Sequence, residues 1–209
     1  MLVDTVLFDL GEVYINGMIG IERKIAHKLG VAEEVVWKHL NGEKLTRLFK
    51  GETSEADYWE AVIREGGYSA VVEGRATSEF LADSMRRNFT EVQGTADVIR
   101  SLAQAGYRIG LISDHVREWI AYCEKHFPLQ DLFSIRCYSF ESGYTKKQPE
   151  SFHYALKRSD ASPDRTLLID DKKGNIKIAQ SPDVNIRYAH QFVDAASLMT
   201  ALPEYGILL

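Results

Sequence analysis

Apolar and polar positions alternate with different periods in different parts of the chain, and the changes of period mark its organisation. The first apolar run covers 2–8 and stops at Asp9, followed by Leu10, Gly11 and Glu12, as a buried strand ending in a turn would. From about Gly20 to Asn88 the period is helical, with Ile21, Ile25 and Leu29, then Val35, Val36 and Leu40, then Tyr58, Trp59 and Val62 on successive faces. Breaks fall at Gly30, Asn41-Gly42, Gly51 and Gly66-Gly67, and Ser54 with Asp57 forms a capping pattern, so four or five short helices are expected here.

Beyond Gly94 the rhythm becomes an alternation of helix and strand. Helices are expected at 96–105, 117–126, 150–158, 174–180 and 195–202, with strands at 107–112, 134–138, 166–169 and 185–189. Strands joined by helices of this length require right-handed crossovers and a parallel sheet. The fold class expected is therefore α/β, a doubly wound, Rossmann-like parallel sheet with an inserted small helical cap. Its division would be a core of 1–15 and 89–209 and a cap of 16–88. No internal repeat or low-complexity segment interrupts this.

Composition narrows the partners. A chain of 209 residues with 45% hydrophobic residues can bury a sizeable core as one domain, or one domain with a small insert. The net charge of -5, with Lys and Arg interspersed among Asp and Glu, gives no basic footprint for nucleic acid. No apolar run approaches the roughly 18 residues of a membrane span, and no basic stretch precedes an apolar one at the start, so a cytoplasmic protein is expected. Cys123 and Cys137 lack metal-type spacing and read as reduced thiols, while the six histidines show no paired ligand spacing that would suggest zinc.

Candidate chemistry lies at the strand ends. In an open parallel sheet ligands bind beyond the carboxyl ends of the strands, where the Asp9 carboxylate could attack phosphorus or hold a metal. The run 166–169 ends the same way, in Asp170-Asp171, and two such strand ends ask for a cation. Ser113-Asp114 follows another strand, and Lys146 lies in the loop 143–149. A hydroxyl with the following amides can hold a phosphate oxygen, and a lysine can neutralise charge on a transferring phosphoryl group. Each has a structural alternative: Asp9 as a turn cap, one of Asp170-Asp171 as a helix N-cap, Ser113 as a turn residue, Lys146 as a solvated loop lysine. Together they make a phosphoryl-transfer site.

In order and spacing these four segments resemble the motifs of the haloacid dehalogenase-like (HAD) hydrolases, a superfamily of mostly magnesium-dependent phosphatases, over essentially the whole chain. The insert is similar to the small helical cap of one branch, with Gly51-Glu52-Thr53-Ser54 before Tyr58-Trp59 resembling a recurring cap segment. The resemblance is strongest to the subset with Gly two residues after the nucleophile, which includes sugar-1-phosphate phosphatases. It implies that Asp9 is a nucleophile forming an aspartyl-phosphate, that Ser113 and the amide of Asp114 bind the phosphoryl oxygens, and that Lys146 bridges nucleophile and phosphate. It also implies Mg2+ held by Asp9, the Gly11 carbonyl and Asp171, supported by Asp170 and Asn175. Magnesium suits such oxygen ligands, completed by water and substrate phosphate.

Three positions depart from the family pattern. Gly11 stands where many members have a second aspartate as general acid and base, a role worth about 100 to 10,000-fold. A substrate with a less basic leaving group, such as an anomeric sugar phosphate, an aryl phosphate or an acyl phosphate, would suffer less. Glu12 and His115 are the candidates to replace that acid. Asp114 stands where Asn is common and would weaken phosphate binding if it pointed inward; Lys147, in place of the usual Pro, could offset that charge. Cap groups such as Trp37, Arg47, Phe49, Tyr58 and Trp59 could shape a pocket, although packing the cap's own core is the simpler reading.

The expectation is a magnesium-dependent phosphatase acting on a small phosphorylated metabolite, a sugar phosphate among the candidates, as a monomer or homodimer. The rivals are a catalytically silent phosphate-binding protein and a 2-haloacid dehalogenase, against which the Asp170-Asp171 pair argues because that reaction needs no magnesium.

Overall fold

The computed structural model describes residues 2–67 and 78–209. In chain order, β1 (Thr5–Phe8) and β2 (Ile15–Asn16) lead into α1 (Ile21–Leu29), α2 (Glu33–Leu40), α3 (Glu43–Phe49), α4 (Glu55–Gly66) and α5 (Ser78–Arg86), before β3 (Thr90–Glu91). Then come α6 (Thr95–Gln104), β4 (Arg108–Ser113), α7 (Arg117–His126), α8 (Leu129–Leu132), β5 (Ile135–Tyr138) and α9 (Ser139–Ser142). The chain continues with α10 (Pro149–Arg158), β6 (Thr166–Asp170), α11 (Lys173–Ala179), β7 (Tyr188–Gln191) and α12 (Ala195–Ala201).

The main sheet has the order β5-β4-β1-β6-β7 and every pairing in it is parallel. Every residue of β1 is buried, as expected of a central strand covered on both faces. Alternate residues feed different layers. Leu7, Ile112, Cys137 and Leu168 pack with Phe152 of α10 and Ala179 of α11, whereas Val6, Phe8, Leu111 and Ile169 join a cluster that includes Ile99 of α6 and Leu198 of α12. Within the sheet Leu7 packs closely on Gly110, where an added Cβ would lie 2.7 Å from Leu7 Cδ2 and displace that side chain.

From β1 the chain runs outward to β4 and β5, then returns to the other side of β1 for β6 and β7. The order therefore reverses between β1 and β6, the crevice where open α/β sheets bind ligands. Register places the ends of these two strands level, Phe8 opposite Ile169, and Asp9 N–H donates to the Ile169 carbonyl at 2.8 Å. The strand ends are thus brought together by the sheet.

Helices α1 to α5 all fall between β2 and β3, which pair antiparallel at the root of the insert. This ribbon was not expected from the sequence, because two residues per strand, with Thr90 and Glu91 exposed, carry no readable period. It is braced at Gly17, whose φ of 123° and Cβ position 2.5 Å from the Asn88 carbonyl oxygen exclude a side chain. Within the insert, Tyr58 and Trp59 are buried, and the Tyr58 hydroxyl donates to the Leu40 carbonyl at 2.6 Å. The Ser54 hydroxyl caps α4 by accepting the Asp57 N–H at 3.1 Å. The part of the helical insert at 68–77 lies outside the described residues.

The strand ends of the main sheet fall within a residue of the sequence reading, except at the start of β1 and at both ends of β7. β1 starts at Thr5 because Leu2 is exposed, and β7 starts at Tyr188 because Asn185 takes a left-handed φ of 59° in the turn after α11. Among the described residues, no helix is long and apolar enough to cross a membrane.

Candidate active site

Asp9 leaves β1 buried, its Oδ1 accepting the Leu10 N–H at 2.7 Å and its Oδ2 2.6 Å from Lys146 Nζ. Lys146 comes from the loop between α9 and α10, is only 1% exposed, and its ammonium also donates to Asp170 Oδ2 at 2.6 Å. The lysine thus links the ends of the two central strands. It is not the solvated loop lysine its surroundings in sequence would allow.

Asp170 is held from its other side. Its Oδ1 accepts the Lys172 N–H at 2.8 Å, and Asn175 Nδ2, on the first turn of α11, lies 3.0 Å from both oxygens. One oxygen of Asp171 lacks such ties: its Oδ1 is buried and has no hydrogen-bond partner. Carboxylate oxygens of Asp9, Asp170 and Asp171 lie within 4.8 Å of one another. Three carboxylates facing one ammonium leave excess negative charge, and a buried orphan oxygen lacks a partner. A hard divalent cation with oxygen ligands satisfies both conditions, so these residues fit magnesium.

Ser113, the last residue of β4, is buried and its hydroxyl also lacks a partner. The adjacent Asp114 turns toward the lysine loop, where its two oxygens accept the Lys146 backbone N–H at 2.9 and 3.1 Å. The sequence left open whether this carboxylate points inward against a phosphate; its oxygens are engaged by the Lys146 amide. Gly11 forms a bridge with Ile15, and a Cβ on it would stand 3.4 Å from Met18 Sδ.

Asp9, Gly11, Asp114 and Lys146 line a cleft of 390 Å³ together with Asn41, Gly42, Leu45, Thr46 and Phe49 of the insert. Lys147 and Lys172 also line it. Sequence reasoning missed Lys172, Asn41 and Thr46; for Lys172 the signal was its place directly after Asp170-Asp171. Neither expected replacement for the missing acid lines the cleft. Glu12, at φ 61°, accepts the N–H groups of Gly17 and Ile19 at 3.3 and 3.2 Å and so holds the loop after β2. His115 is buried between Phe89 and Trp119, with ring centroids 5.8 and 5.7 Å away. Trp37 and Arg47, named as pocket candidates, lie outside this cleft, while Phe49 lines it.

Electrostatics follow from burial and crowding. Burial pushes the Asp9 carboxyl up, to about 7, against the opposing pull of the Lys146 ammonium. Burial disfavours the Lys146 ammonium, but the carboxylates of Asp9, Asp170 and Asp114 outweigh it and hold the group above the ordinary lysine range. Burial also raises Asp114 and Asp171, each partly offset by nearby lysines.

A doubly wound sheet with carboxylates at the ends of its two central strands, a buried lysine between them and a seryl hydroxyl beside them is a hydrolase-type α/β core. The model of the haloacid dehalogenase-like hydrolases matches residues 3–181, and the chain belongs to this family. A pyrophosphatase PpaX of Bacillus mycoides (strain KBAB4) is 26% identical over 86 residues, which make up 41% of this chain and 40% of that protein. A second PpaX, from Bacillus cereus (strain G9842), is 25% identical over 98 residues, 47% of this chain and 45% of that protein. The chain thus matches less than half the length of these curated relatives.

Among solved structures, the HAD family enzyme BT-2542 of Bacteroides thetaiotaomicron, in complex with magnesium and inorganic phosphate, superposes with a TM-score of 0.73 at 22% identity. The match covers 92% of this chain and 95% of that one. A HAD-like family hydrolase from Porphyromonas gingivalis gives a TM-score of 0.78 at 19% identity, covering 100% of both chains. At these identities the likeness is one of fold.

Proposed function

We propose that the protein is a magnesium-dependent phosphatase that hydrolyses a small phosphorylated metabolite through a covalent phosphoryl group on Asp9. The observation that carries this reading is the position of Lys146 Nζ, 2.6 Å from both Asp9 Oδ2 and Asp170 Oδ2, with the buried, unpartnered Ser113 hydroxyl at the end of the adjacent strand β4. In this reading Asp9 attacks phosphorus, and the phosphoryl oxygens are received by Ser113 and the amide of Asp114. Lys146 shifts its ammonium from Asp170 toward the incoming phosphoryl group, while its charge favours the ionised form of Asp9 against the effect of burial. Asp9, the Gly11 carbonyl and Asp171 would hold the cation, with Asp170 and Asn175 fixing the surrounding loop. The cation would supply charge neutralisation for the phosphoryl group.

This reading takes residues 16–88 as a cap over a core of 1–15 and 89–209, supported by Asn41, Leu45, Thr46 and Phe49 lining the same cleft as Asp9. The names of the PpaX relatives and the magnesium and phosphate bound by BT-2542 favour phosphate chemistry over dehalogenation. Hydrolysis of p-nitrophenyl phosphate, with and without magnesium, by the native protein and by Asp9→Asn tests the reading. Turnover should require both Asp9 and magnesium. An inert native protein that still gains thermal stability from magnesium and phosphate would instead be a silent phosphate-binding member, and halide release in the presence of a chelator would make it a dehalogenase.

A further inference from the structure

Resting on that phosphatase reading, we infer that the leaving group departs as an anion without receiving a proton from the protein. The substrate is accordingly an anhydride of phosphoric acid, in which the transferred phosphoryl group is bonded to a phosphate or a carboxylate oxygen, rather than an ester of an ordinary alcohol.

The groups lining the cleft carry this. Its lining carboxylates are Asp9, which is the attacking group, and Asp114, whose two oxygens both accept the Lys146 N–H; no histidine lines it among the described residues. Glu12 is tied to the loop that carries Gly17 and Ile19, and His115 lies within its aromatic surroundings. Beside Gly11 the neighbouring atom is the thioether sulfur of Met18, which cannot donate a proton. A carboxylic acid or imidazole poised for an alkoxide is therefore missing from the described cleft.

Cations are present instead. Lys147 and Lys172 line the cleft, are exposed, and make no ion pair within 4 Å among the described residues. Lys172 follows Asp171 directly, its N–H donates to Asp170 Oδ1 at 2.8 Å, and it lines the same cleft as Asp9 and Asp114. These two ammoniums are additional to Lys146, which the site already uses for Asp9 and Asp170. They suit a ligand that carries negative charge on both sides of the breaking bond.

The chemistry balances without an acid. Asp9 forms a bond to phosphorus as the P–O bond of the anhydride breaks, and its electron pair leaves on the phosphate or carboxylate oxygen, which is stable as an anion. Water then bonds to phosphorus, the Asp9 O–P bond breaks with its pair returning to the carboxylate, and the proton lost by water goes to the released phosphate or to solvent.

The experiment measures kcat/KM with magnesium for pyrophosphate, acetyl phosphate, p-nitrophenyl phosphate and glycerol phosphate, using the native protein, Lys172→Ala and Lys147→Ala/Lys172→Ala. Anhydrides should exceed glycerol phosphate by at least about 100-fold, the lower end of what a missing general acid is worth. The lysine variants should lose about 10-fold more on an anhydride than on p-nitrophenyl phosphate, since one decade corresponds to a single well-placed charge interaction. A preference for pyrophosphate assigns the phosphoric anhydride and one for acetyl phosphate the carboxylic anhydride. Glycerol phosphate turned over within about 10-fold of the better anhydride, a shallow dependence on leaving-group basicity across substituted phenyl phosphates, or equal losses on all substrates in the lysine variants overturns the inference. A selective loss of glycerol phosphate turnover in Asp114→Asn would identify that residue as a proton donor and also overturn it. If p-nitrophenyl phosphate turnover is absent or survives in Asp9→Asn, the phosphatase reading itself fails; if it needs Asp9 and only the leaving-group pattern is wrong, this inference alone fails.

Discussion

Asp114 holds Lys146 by its main chain: both carboxylate oxygens accept the Lys146 N–H, at 2.9 and 3.1 Å, across a sequence separation of 32 residues. The lysine that reaches Asp9 is therefore fixed at its backbone by one acidic residue and at its side-chain end by two others. Asp114→Ala should leave that amide without its acceptor, costing about 1–3 kcal/mol of stability and lowering kcat on p-nitrophenyl phosphate about 10-fold through misplacement of Lys146. Asp114→Asn keeps one acceptor oxygen and should recover most of both. Urea midpoints and kcat for the two variants check this.

Lys146 neutralises a cluster of buried carboxylates, so Lys146→Met should be severely destabilised in chelator, by about 3–5 kcal/mol, because Asp9 and Asp170 lose their common partner. Magnesium should restore part of that loss, since a bound cation replaces some of the missing charge. In the native protein, magnesium at about 100 times its Kd should add about 2.7 kcal/mol. Asp171→Asn should abolish most of that gain. Thermal melts with magnesium or chelator compare all three proteins.

His115 should govern an acid-sensitive part of the stability curve. Burial lowers its pKa to about 4, and Phe89 and Trp119 pack against a ring whose two nitrogens have no partner. Between about pH 6.5 and 4 the unfolded chain binds a proton that the folded one refuses, so this contribution is complete above the unfolded pKa and falls as pH drops toward 4. The loss is of order 3 kcal/mol. Equilibrium unfolding at a series of pH values should show a shallower acid limb in His115→Phe than in the native protein.

Glu55 joins the insert to the sheet domain. Buried on α4, it accepts Trp119 Nε1 of α7 at 2.6 Å and Trp59 Nε1 at 3.3 Å, and it pairs with Arg86 of α5. Glu55→Ala should cost about 3–5 kcal/mol, because it strands Arg86 and two buried indole N–H groups. Glu55→Gln should cost less, as its amide oxygen keeps an acceptor in place. Chemical denaturation followed by tryptophan fluorescence reads both, since Trp59 and Trp119 report from the two sides of the contact.

Much of the layout was legible in the sequence because short-range periodicity fixes it. The apolar runs ending in Asp9, Ser113 and Asp170 are strands β1, β4 and β6, and their spacing by helices forces a parallel sheet. Glycine and capping signals likewise located the helices of the insert, down to Ser54 at the start of α4. Once the sheet is parallel, these strand ends share one edge; the placing of β1 between β4 and β6, which groups Asp9, Ser113, Asp170 and Asp171, came from the strand order.

Side-chain partners were decided only by tertiary structure. Glu12 and His115 are near Asp9 and Ser113 in sequence, yet one turns back to two loop amides and the other enters an aromatic layer, because backbone direction and packing choose their neighbours. Asp114 finds the Lys146 amide, and Asn41 and Thr46 reach the cleft wall, through contacts between distant segments that no local period encodes. The sequence by itself determined which residues stand at the strand ends, since alternation and strand length act over a few residues. Which of them pair, which stay unpartnered and which face the cleft was decided by long-range packing of the insert and loops onto the sheet.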